Sequence, residues 1–162
     1  MNSLQSPALP NGPPADKAGI DGGPSAMAWR LGYAGLLPFV GGALLLWLVW
    51  PEVHPDVALA LSAYAAVIIS FLGGVHWGLA MRMPGPLNTG MLVWGVVPSL
   101  VAWVAVVMPA YAGLVIHGAM LLVCYAVDRR IYPQAGVAQW LTLRFRLSAV
   151  AAVSCFVGAA GS

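Results

Sequence analysis

The residues with the types and placement for chemistry are two histidines inside apolar runs and one acid–base tripeptide. His76 is followed at once by Trp77 and six residues later by Arg82. An ionisable group in hydrocarbon is expensive to keep, which makes His76 a candidate for proton or ligand handling. The plainer reading is an imidazole hydrogen-bonded to a neighbouring helix near the interfacial indole of Trp77. His117 lies deeper in another apolar run, and two imidazoles from bundle helices can ligate a haem iron. Counted from Arg82 and Asp128, however, the two differ in depth by roughly 7 Å at 1.5 Å per residue, which argues against a shared iron.

Asp128, Arg129 and Arg130 close the apolar run that carries His117. Two cations at a helix C-terminus complement its dipole and anchor the span. Joined by Arg82, Arg144 and Arg146, they also suit a lipid phosphate or a protein partner. Glu52, His54 and Asp56 carry donors a metal would accept, but in a short proline-broken turn they read as solvated. No activated serine or cysteine, HExxH, phosphate-cradling loop or paired intramembrane carboxylate occurs, so no catalytic, cofactor or metal site is expected. Cys124 and Cys155 fall inside apolar runs without CxxC spacing and read as small buried apolar residues.

The elements that must position these groups are membrane spans. Apolar residues make up 60% of the 162-residue chain and charged ones 7%, far below the roughly 25% charged of a soluble domain. So few polar groups cannot cover a water-facing surface, and the net charge of +2 is too small and scattered to favour nucleic acid. An all-α polytopic bundle of five spans is expected, at about 31–50, 57–81, 91–108, 111–127 and 141–160. Residues 1–28 hold five prolines and few large apolar side chains, the composition of a disordered tail; residues 29–161 form the transmembrane domain.

Pro38 should kink the first span, with Gly35, Gly41 and Gly42 making room for a partner. MPGP at 83–86 should break the chain after the second span, and Gly95, Pro98 and Ser99 should bend the third. Residues 128–138 form the one long connection. The last span is full length only if it starts at Leu141, with Arg144 and Arg146 snorkelling to the interface; a re-entrant helix is the alternative. The second span looks central, because Ser62, Ala66, Ser70, Gly74 and Gly78 recur every four residues, and small residues in register let helices approach closely in lipid.

Orientation follows from charge. Lys17, Arg30, Arg82, Arg129, Arg130, Arg144 and Arg146 all fall in segments that five crossings place on one side, and the loops at 51–56 and 109–110 hold none. The amino end is expected in the cytoplasm and the carboxyl end outside.

The stretch YAAVIISFLGGVHWG (64–78), with GYAGLLPFVGG (32–42), WGVVPSLVAW (94–103), DRR (128–130) and WLTLRFRL (140–147), resembles the domain of unknown function 3429, or transmembrane protein 69-like, family. The resemblance covers about 30–160. It implies an integral multi-pass protein of a bacterial inner membrane and marks Ser70, Gly73, Gly74, His76, Trp77, Gly78, Asp128 and Arg129 as family-type positions. It brings no activity, substrate or cofactor. The leading expectation is a non-enzymatic packing, assembly or stabilising component in the bilayer, partnered by its own copy or another membrane protein. The alternative is a small transporter or channel subunit that works as an oligomer, with His76 or His117 responding to protons.

Overall fold

The computed structural model describes residues 22–82 and 87–162, and the described residues are helical apart from short connections. Helices α1 (Ala26–Ala34) and α2 (Leu37–Leu48) form the first crossing, and a 3-10 turn at Pro51–Val53 leads into α3 (His54–Arg82). The other crossings are α4 (Leu87–Val106), α5 (Ala110–Gln134) and, after a 3-10 turn at Ala138–Trp140, α6 (Leu141–Ala160). Five helical segments are long and apolar enough to span a membrane, as the composition requires. The break expected at MPGP and most of the proposed tail lie outside the described residues. Within them, helix begins earlier than the tail reading allows: Ser25 Oγ accepts the Ala28 N–H at 3.2 Å and caps α1.

Pro38 does interrupt the first crossing. It stands at the start of α2, where its missing N–H costs nothing. The break frees the Gly35 carbonyl, and Tyr64 Oη on α3 donates to it at 2.8 Å. By contrast, α4 runs unbroken through Pro98.

α3 packs against α2, α4, α5 and α6, so it is central as expected, but through a different face. Its buried residues are Ala58, Leu61, Ser62, Ala65, Ile69, Leu72, Gly73, His76 and Ala80. Of the four-residue ladder, Ser62 is buried, Ala66 and Ser70 are half-buried, and Gly74 and Gly78 are exposed. Nothing lies within 4 Å of a Cβ built at Gly74 or Gly78. The cause is geometric: a strict four-residue step overshoots the 3.6-residue turn by about 40°, so four steps carry the ladder about 160° around the helix. The seam inside the bundle alternates steps of three and four. Its close approach is at Gly73, where a Cβ would overlap the Gly95 carbonyl oxygen of α4; a second close approach, between α5 and α4, is where Gly113 meets the Ala105 carbonyl.

The fourth crossing also differs from expectation. α5 does not end at 127 but continues to Gln134, which reduces the long connection to 135–137 and one 3-10 turn. The stop is a Schellman motif: Val137 N–H donates to Tyr132 O at 2.9 Å, Gly136 N–H to Pro133 O at 3.3 Å, and Gly136 supplies φ +71°. α6 starts at Leu141 and, with the turn before it, is long and apolar enough to cross a membrane. Arg146 behaves as an interfacial anchor, its guanidinium 5.6 Å over the Trp29 ring and Nη1 3.3 Å from Tyr33 Oη. Arg144 does not snorkel. It turns inward.

Candidate functional site

Continuing α5 past 127 puts His117, Leu121, Cys124, Asp128 and Tyr132 on one buried face. Asp128 is fully buried, and Arg144 of α6 donates to its Oδ2 from Nε at 2.8 Å and from Nη2. On the other side, His76 Nε2 of α3 is 3.3 Å from Asp128 Oδ1, with side-chain exposures of 1% and 0%. That pair is not aligned as a hydrogen bond, so both atoms are buried without a hydrogen-bond partner. The remaining His76 nitrogen, Nδ1, is 3.2 Å from Leu72 O. Both ring nitrogens therefore face acceptors, and a neutral imidazole has one N–H for two of them. The result is one buried polar centre joining three helices.

The acid–base tripeptide is thus divided. Asp128 points into the bundle, whereas Arg129 and Arg130 are exposed. Arg144, expected to snorkel to the interface or to join the tripeptide at a lipid-phosphate or partner site, is the partner that the buried Asp128 carboxylate requires. Tyr132, also buried near this centre, was missed because, with the helix stopped at 127, the inward register was cut short of it; the buried Ser148 lies on α6, one turn after Arg144, and no residue-type signal singled it out.

The two intramembrane histidines have separate partners. His117 Nδ1 is 3.4 Å from Ser62 Oγ on α3 and Nε2 is 3.3 Å from Ala102 O on α4, which makes it a polar tie among three helices. Trp77 is a tie as well: Nε1 donates to Leu92 O at 3.0 Å, and its ring fills the space that a Cβ on Gly95 would need. His54 Nε2 lies 3.3 Å from Val49 O. Among the described residues, no three His, Cys, Asp or Glu side chains form a group that could hold a metal.

Beside the Asp128 centre lies a cavity of about 1020 Å³, walled by α1, α2, α3, α5 and α6 and bordered by the 135–140 connection. Its walls are mainly apolar, for example Leu31, Phe71 and Leu147. Arg82, Tyr132, Gln139, Arg144 and Ser148 gather its polar groups toward one side. Asp128 itself does not line it, since its carboxylate is turned to Arg144 and His76.

Five apolar crossings around a buried ionic centre define a polytopic α-helical membrane protein. The chain belongs to the family described as Protein of unknown function (DUF3429), which it matches over residues 24–160. It is also similar to Transmembrane protein 69 of Xenopus tropicalis, with 46% identity over 80 residues, covering 48% of this chain and 31% of that protein. The match therefore spans less than a third of the relative's length. No solved structure matches the chain.

Proposed function

We propose that this protein is a non-enzymatic membrane component that holds an amphipathic membrane molecule between its helices. The cavity is the observation that carries this reading. Its volume of about 1020 Å³ lies at the upper end of the roughly 300–1,000 Å³ usual for small-molecule sites. It is apolar along α1, α3 and α6 and polar at the Arg144 side, the profile of a chain with a headgroup. The Asp128 centre behind it fixes the Arg144 guanidinium, so the polar side is preorganised. Val75, which lines the cavity from α3, allows a direct test. Val75→Trp in the full chain, purified in mild detergent, should lose most co-purifying amphiphile by mass spectrometry while keeping its thermal transition. Equal retention by both proteins would refute the reading.

Two parts of the earlier expectation remain within this proposal. Self-association through the exposed face of α3 is a second reading, favoured by the open space over Gly74 and Gly78. The orientation, amino end cytoplasmic in a bacterial inner membrane, rests on the segregation of the arginines. Arg30, Arg82, Arg129, Arg130, Arg144 and Arg146 stand toward the helix ends that consecutive crossings bring to one side. A periplasm-active reporter fused after Ser162 should be active and a cytosol-active one silent. The reverse pattern would invert the topology.

A further inference from the structure

The polar side of the cavity is cationic and rich in donors. Arg82 is the last residue of α3 and exposed, and Arg144 lies in the first turn of α6, so both stand near the same end of the bundle. Asp128 engages Arg144 through Nε and Nη2, which leaves Nη1 outside that pair. Ser148, 3% exposed, lines the same cavity with an Oγ that has no hydrogen-bond partner. Gln139 Nε2 and Trp140 Nε1, which border the site, donate to Gly22 O. Among the described residues, no carboxylate lines the cavity. A buried hydroxyl without a partner is costly and calls for an acceptor; Arg82, with the Nη1 of Arg144 that Asp128 leaves free, calls for a negative one.

Building on the holding role proposed above, we propose that the occupant is an anionic glycerophospholipid. Its phosphate lies against Arg82, Arg144 and Ser148, and its acyl chains run along α3 and α6 past Phe71 and Leu147. Free phosphate leaves the apolar walls unfilled, and a neutral amphiphile gives Arg82 no counter-charge and the free Nη1 of Arg144 no anionic acceptor.

The test reconstitutes the full chain in bicelles of phosphatidylglycerol and phosphatidylcholine in equal amounts and reads retained lipid by native mass spectrometry. Phosphatidylglycerol should be enriched about fivefold per engaged arginine, the equivalent of about 1 kcal/mol each near the surface. Arg82→Gln, at an exposed position that should leave folding unchanged, should lower the enrichment by about that factor; Ser148→Ala should lower retention of both lipids. Equal retention of the two lipids by wild type, or an Arg82→Gln variant with undiminished preference, overturns the anionic assignment and leaves the holding role standing. A wild-type protein that retains neither lipid overturns both.

Discussion

Asp128→Asn is expected to destabilise the bundle by about 3–5 kcal/mol, the usual loss when one member of a buried ion pair is removed. The amide cannot balance Arg144, which donates to Oδ2 from two nitrogens at a side-chain exposure of 12%, and it leaves His76 without its anionic neighbour. Three helices meet at this carboxylate, so the loss should appear in the global transition and not as local fraying. Unfolding of the full chain by denaturing detergent, followed by circular dichroism, measures it. The double variant Asp128→Leu with Arg144→Met should recover most of the loss, since an apolar pair of similar volume needs no desolvation. If Asp128→Asn unfolds with the wild-type midpoint, the polar centre contributes nothing to stability. If the double variant is as unstable as the single one, the damage came from shape and not from an unpaired charge.

Two adjacent glycines should respond in opposite ways. Gly73→Ala should cost about 1–3 kcal/mol or more, because the new methyl meets the Gly95 backbone, which cannot rotate away as a side chain can. Gly74→Ala should be neutral or stabilise by up to about 1 kcal/mol, since the space there is open and Ala is the better helix former. The same detergent titration decides both. A larger residue at the open positions then isolates association: Gly74→Leu with Gly78→Leu should keep the monomer's transition while lowering cross-linked dimer in membranes. Unchanged cross-linking would remove the second reading, and a loss of monomer stability would mean that the ladder packs within the chain after all.

Much of this architecture was legible in the residues. Apolar runs long enough to cross a bilayer, separated by prolines and charges, identify five spans, because hydrocarbon forces each segment to satisfy its own backbone. The HW motif and its companions were enough to indicate the family. Pro38 announced its break, and Leu141 was the right start for the last helix.

What the residues alone did not disclose is which way each helix is turned. DRR reads equally well as a charged helix end or as one inward acid beside two outward cations, and only the continuation of α5 to Gln134 chooses. Gly73 and Gly74 are chemically identical neighbours, yet one touches backbone and the other touches nothing. Arg144 needed a partner sixteen residues away before its inward turn made sense. Span location is a property of local composition, readable one segment at a time. Rotation about each helix axis is decided by which faces the other helices cover, and in lipid, where most faces are apolar, composition alone distinguishes them poorly.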